Sequence, residues 1–357
     1  MKDLELLRQF RSETEPPGED VAASAYRRMF AESGQAAKSG FDARRGRRVR
    51  LALGVAVTAA TVAAVMAFLP GGNPGGPRSA AAALSLVARV ASEQEAVPAL
   101  GPGQFYYMRT MSFGLFGLWE PERSPYLYTR TDLDEQWFAS DGSGRELLRN
   151  GKATFPSERD RLKWIEAGSE DLQSQRTHDE KFPGPKGGLE GMSKPQSGYT
   201  GIPQPNLSDL PTDPAVLKTV IEARKGVFQG MPGDGETFDI IASTLRSFYA
   251  PPKLRAALYQ VASELPDVEL VGDVKDPVGR PGVAVAYPLV PGVQKELIFD
   301  PSNSALLGER WVITNPDATH LFSGIPAGTN LMWNAYLASG IVDSMNERPP
   351  GVVDSTN

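Results

Sequence analysis

The chain has 357 residues, no cysteine and a net charge of −6, with 36 glycines and 30 prolines. Without cysteine there is no disulfide framework and no thiolate-held zinc or iron, and two histidines leave little for a His-based metal site. The charge is uneven: residues 1–50 hold 11 Lys/Arg against 8 Asp/Glu, and the remaining chain is acidic, which suits a membrane protein better than a direct nucleic-acid binder.

Residues 1–48 read as a cytoplasmic arm with two short amphipathic helices. Leu4, Leu7 and Phe10 follow helical spacing, EPPGED interrupts it, and Tyr26, Met29 and Phe30 resume it. Helices this short are marginal alone in water, so the six apolar residues are expected to dock on a partner. A frayed tail, or a helix lying on the inner leaflet, explains the same pattern.

Residues 49–69 form the expected transmembrane helix, a signal anchor. Its core, Leu51 to Leu69, carries no charge over 19 residues, a helical length of ~28 Å against a hydrocarbon core of about 30 Å. Arg44, Arg45, Arg47, Arg48 and Arg50 crowd one flank, whereas residues 70–79, a Gly/Pro linker, carry only Arg78. Positive charge stays inside, so the N-terminus is assigned to the cytoplasm and the bulk of the chain to the outside of the cell membrane. A cleaved signal peptide is the rival reading, since Ala80–Ala83 offer small residues for a protease. The 50-residue leader is long for one. Ala56, Ala60 and Ala64 form a four-residue small stripe that would admit helix-mediated homodimerisation.

The insertion margin is thin, because eight Leu, Val and Phe residues supply only about −3 kcal/mol. One arginine at the helix centre costs about 2.5–3.5 kcal/mol. Ala60→Arg is therefore expected to move the chain out of the carbonate-resistant membrane fraction; retention there would refute the span.

Residues 80–350 read as an extracytoplasmic α+β domain, an antiparallel β-sheet packed against several helices. A helix is predicted over Ala80–Gln94, with Leu84, Val87, Ala88 and Ala91 on one face. Strands follow at Gly103–Phe113, Ser124–Leu133 and Gln136–Ser140, and around Arg145–Leu148. Residues 181–213 are dense in proline and glycine and read as a long mobile surface loop. Asp213-Pro214 then starts a helix striped by Leu217, Val220 and Ile221. A second helix carries Phe238, Ile241, Leu245 and Phe248, and a third carries Leu254, Leu258, Val261 and Leu265. A β-meander closes the chain at Asp267–Val274, Gly282–Leu289, Lys295–Asp300, Ala305–Ile313 and Leu331–Asp343.

No phosphate loop, HExxH, GxSxG or EF-hand loop is present, and no enzymatic activity or cofactor is expected. His178 and His320 read as surface and turn residues. Asp273, Asp276, Asp300 and Asp343 sit where turn-forming aspartates belong. Tyr106, Tyr107 and Trp137 read as sheet core, with ligand contact the alternative.

Several blocks occur in a specific order: KDLELLRQFRSETEPP, RRGRRVRLALGVAV, GPGQFYYMR, LPTDP, PPKLRAALYQVASELPDVEL, DPVGRPGVAVAY and ELIFDPSNSALLGER. Together they resemble an actinobacterial family of single-pass membrane proteins often encoded beside extracytoplasmic-function sigma factors. The resemblance implies an anti-sigma-factor-like role, in which the arm holds a sigma factor and the outer domain senses a signal. The zinc-binding His/Cys motif of many anti-sigma domains is absent. The helix-plus-sheet pattern also resembles lipoprotein-carrier half-barrels, which suggests the alternative of a membrane-tethered lipid- or peptide-binding module with no signalling role.

Overall fold

The computed structural model describes residues 79–95, 100–118, 125–172, 177–182, 207, 210–223, 225, 234–247, 250–319, 322 and 325–352. The arm residues, the five topogenic arginines and the span Leu51–Leu69 lie outside them, as do His320, Phe248 and most of the 181–213 loop. Among the described residues, no helix is long and apolar enough to cross a membrane.

Among the described residues, nine strands build one antiparallel sheet, so the α+β expectation holds. They are β1 (Phe105–Phe116), β2 (Tyr128–Phe138), β3 (Gly144–Asn150), β4 (Thr177–Phe182), β5 (Glu269–Lys275), β6 (Pro281–Val290), β7 (Val293–Phe299), β8 (Leu306–Ile313) and β9 (Asn330–Val342). Their order is β4-β3-β2-β1-β9-β8-β7-β6-β5. Two meanders are thus sewn together by the last strand pairing with the first, Phe105 opposite Val342 and Gly114 opposite Met332. A register shift between Arg109 and Thr110 bends this seam.

Among the described residues the α-helices are α1 (Ala80–Ser92), α2 (Glu158–Glu166), α3 (Pro214–Glu222), α4 (Gly235–Ser247) and α5 (Pro252–Ser263). Each end has a local cause. The Ser79 hydroxyl accepts from Ala82 N–H to start α1, and the Asp213 carboxylate accepts from Ala215 and Val216 N–H to start α3, with Pro214 in the first turn. The apolar stripe of α1 buries Leu84, Val87, Ala88 and Ala91 as predicted, and α5 buries Leu254, Leu258 and Val261, with Leu265 just beyond its end. These faces meet Leu217 and Ile221 of α3, Phe238 and Ile241 of α4, and Val283, Val285, Tyr287, Leu297 and Phe299 of the sheet in the largest core. Burial of each large side chain there contributes about 1.5–3 kcal/mol.

The closing meander follows its predicted boundaries to within three residues. The β6–β7 turn shows why: Pro291 presets the first turn position, and Gly292 has φ +80°. A Cβ at Gly292 would lie 2.2 Å from the Asn315 carbonyl oxygen. Two expectations need correction. The strands predicted at Ser124–Leu133 and Gln136–Ser140 are one strand, because Asp134 and Glu135 each find a place in the ladder. The run forming β4 is almost wholly polar, and α2 has only the short i,i+3 pair Leu162 and Ile165 and buries no residue, so periodicity missed both.

Candidate functional site

Strand alternation sends odd-numbered residues of β6 and β7 toward the helices, which is why Val285, Leu297 and Phe299 are core. Lys295 shares that parity and is only 1% exposed. Its Nζ lies 2.6 Å from Oδ1 of Asp239 on α4 and 3.1 Å from Oε2 of Glu309 on β8. Glu309, 2% exposed, also takes Arg246 Nη1 of α4 at 2.5 Å and Asn334 Nδ2 of β9 at 2.8 Å. Two cations and two carboxylates are thus closed under α4. Burial alone would raise the Glu309 carboxyl, but Arg246 and Lys295 outweigh it and hold it far below the usual range. Burial first, then the Glu309 charge, pushes the Tyr336 phenol of β9 well up.

Register carries this face onward. Asn334 opposes Glu309 on one side and Ser112 on the other, Tyr336 opposes Thr110, Thr110 opposes Asp134, and Gln136 opposes Glu146. A polar belt therefore runs on the helix-side face from β7 across the seam to β3. At its far end the Gln136 amide donates to Asp134 Oδ2 at 2.8 Å and to Glu146 Oε1 at 2.9 Å. Asp134 Oδ1 is buried without a hydrogen-bond partner. Burial, then the Glu146 and Glu135 charges, pushes the Asp134 carboxyl up to about 7.

The opposite face of β1–β3 holds a second charged cluster. Glu135, fully buried, takes the Tyr107 hydroxyl at 2.6 Å and Arg149 Nη1 at 2.6 Å. Arg348, from the segment after β9, grips it with Nε at 2.5 Å and Nη2 at 3.0 Å. That segment is strapped down again by Trp137 Nε1 donating to the Glu347 carbonyl and Arg145 Nη1 donating to the Met345 carbonyl. Tyr107 and Trp137 are fully buried and meet edge to face, so they are core.

The predicted site residues, from Leu4 to Leu69, cannot be placed against these clusters, since all lie outside the described residues. His178 is a half-exposed strand residue 3.0 Å from Glu180. Asp276 and Asp300 form side-chain-to-backbone turns as expected, Asp276 accepting from Val278 and Arg280 N–H and Asp300 from Ser302 N–H. Sequence reading missed the belt, although its signal was present: Lys295 and Glu309 occupy core-parity positions in strands recognised as strands. A cavity of about 280 Å³ opens at the β6–β7 turn, lined by Asp267, Tyr287, Pro288, Val290, Pro291 and Thr314, and none of the belt residues lines it. Among the described residues, no three acidic or histidine side chains converge to hold a metal ion. The belt supplies hydrogen bonds, fixed charge and one proton-binding carboxyl.

No family model matches the chain, and no curated protein does. Among solved structures, it is similar to the complex of Pseudomonas aeruginosa MucA and MucB, at 12% identity and a TM-score of 0.21, over 73% of this chain and 56% of that one. It is similar also to MucB in complex with MucA(peri), at 12% identity and 0.22, over 74% and 56%. The chain thus matches little more than half the length of those solved chains, and likeness at this level does not extend to function.

Proposed function

We propose that this chain is a single-pass membrane regulator of the anti-sigma-factor-like type. Its arm, residues 1–48, docks on a cytoplasmic sigma factor through Leu4, Leu7, Phe10, Tyr26, Met29 and Phe30. Leu51–Leu69 crosses the bilayer, and the α+β domain senses a signal outside. One structural observation carries the reading most. The first described helix, α1, begins at Ala80, directly after the linker, and puts Ala83, Leu84, Val87, Ala88 and Ala91 into the main core. The chain thus enters its outer domain through a core helix, so a change in the domain's packing bears on the segment joined to the anchor. The tethered carrier alternative needs an apolar trough. The helix-side face of β6 and β7 is filled by helix side chains, and over β1–β3 that face carries polar and charged groups.

The test uses the full chain, tagged at its C-terminus and solubilised in mild detergent. Mass spectrometry of the captured material should identify a sigma factor. Leu7→Asp with Phe10→Asp should cut its recovery at least ~10-fold, while the thermal midpoint of the outer domain stays unchanged. Equal recovery by the charged variant would overturn the assignment of the arm.

A further inference from the structure

We propose that Asp134, Gln136 and Glu146 form a proton-operated latch on the helix-side face of β2 and β3, closed by a proton on Asp134 and loosened when that proton leaves. The geometry carries it. One amide is shared by two carboxyl groups on adjacent strands, at 2.8 and 2.9 Å, while the second Asp134 oxygen is buried without a partner. With both groups ionised, one –NH₂ faces two negative charges and the orphaned oxygen carries charge away from water, which is costly.

The surroundings offer Asp134 little compensation. On its own strand, Arg130 is held by Asp132 at 2.7 Å. On β1, Thr110 opposes it and Ser112 is next along that face, both uncharged. On β3 it faces Leu148, with Glu146 and Asn150 on either side. On β4, His178 opposes Leu148 and is paired with Glu180, and across the seam Arg246 is engaged by Glu309. A proton taken from solvent onto an Asp134 oxygen removes one of the two charges and adds an O–H donor.

The consequence is a sign. The carboxyl ionises with an ordinary value of 3.8 in the unfolded chain and about 7 in the folded one. The folded form therefore holds a proton that the unfolded form releases, and the resulting stability is complete below pH ~4 and lost as pH rises through ~7. Resting on the reading that this domain faces outward, the latch makes external pH a signal the domain can register.

Thermal unfolding of the full chain between pH 5 and 8.5 tests this. The wild-type midpoint should fall across that range relative to Asp134→Asn, which keeps the shape and stays neutral. The variant should stand ~5 °C above wild type at pH 8.5, and the gap should narrow steadily as pH falls to 5, closing only below pH ~4. Glu146→Gln should shrink the fall of the midpoint across that range, because the charge that most opposes ionised Asp134 is gone. In infrared spectra, a protonated-carboxyl band present at pH 6 should fade by pH 8.5 and be missing from Asp134→Asn. Parallel pH curves for wild type and Asp134→Asn, or no such band, would overturn the latch. Sigma-factor capture by the arm is a separate readout, so loss of one proposal leaves the other distinguishable.

Discussion

Lys295→Met is expected to destabilise the α+β domain by ~3–5 kcal/mol, seen as a lower midpoint in denaturant unfolding of the full chain. Methionine preserves the length and approximate volume of the side chain, so little of the loss is a cavity. What disappears is the cation 2.6 Å from Asp239 and 3.1 Å from Glu309. Two buried carboxylates then share the single guanidinium of Arg246, and Asp239 loses its 2.6 Å hydrogen bond. The penalty is desolvated negative charge with less compensation, rather than the net worth of the ion pair. Adding Asp239→Asn removes one of the two buried negative charges, so the double variant should recover part of the loss. A single-variant cost below ~1 kcal/mol would mean that water reaches the quartet freely.

The same quartet shows how far a sequence can be read. Alternation and turn residues were enough to place β5–β9, because both kinds of signal act within a few residues. KELIFD and ALLGERWVI were legible as strands, and Lys295 and Glu309 were visibly in phase with Leu297, Phe299, Trp311 and Ile313. What could not be read was why a lysine and a glutamate stand in core phase. Their partners, Asp239 and Arg246, lie 56 and 63 residues away on α4. Compensation of a buried charge is a tertiary property, so the local pattern shows only an anomaly.

The long β2 strand was split for a related reason. DLDEQW looks like a turn until Glu135 finds Arg348, 213 residues on, and Asp134 finds the Gln136 amide. The seam between β1 and β9 is similarly non-local. Nothing in GQFYYMRTMSF indicates that it pairs with LMWNAYLASGIV rather than with its neighbours alone. The helix α2 escaped notice because it buries no residue. Its start is set by Ser157 and Asp160 instead, with the Ser157 hydroxyl accepting from Asp160 N–H.

Arg348→Ala is expected to cost ~3 kcal/mol at pH 7 and to move acid unfolding to higher pH. Burial alone would raise the Glu135 carboxyl, but hydrogen bonds from Arg348, Tyr107 and Arg149 outweigh it and hold it at about 2, against 4.5 for the free group. A carboxyl depressed in the folded state stabilises the fold at pH values above ~4.5, and that contribution is lost as pH falls through ~2. The interval corresponds to roughly 3 kcal/mol at neutral pH, of which Arg348 supplies the largest favourable share. Without it, Glu135 keeps Tyr107 and Arg149, its carboxyl rises, and the acid limb begins earlier. The segment beyond β9 also loses its central tie, while the Trp137-to-Glu347, Arg145-to-Met345 and Arg145-to-Asn346 hydrogen bonds remain. Limited proteolysis should then cut within that segment while the sheet remains intact. Arg348→Lys keeps the charge but not the two-pronged grip, so it should fall between wild type and alanine. An alanine variant with an unchanged acid limb and an uncut tail would show that the strap contributes nothing, and that Arg149 alone balances Glu135.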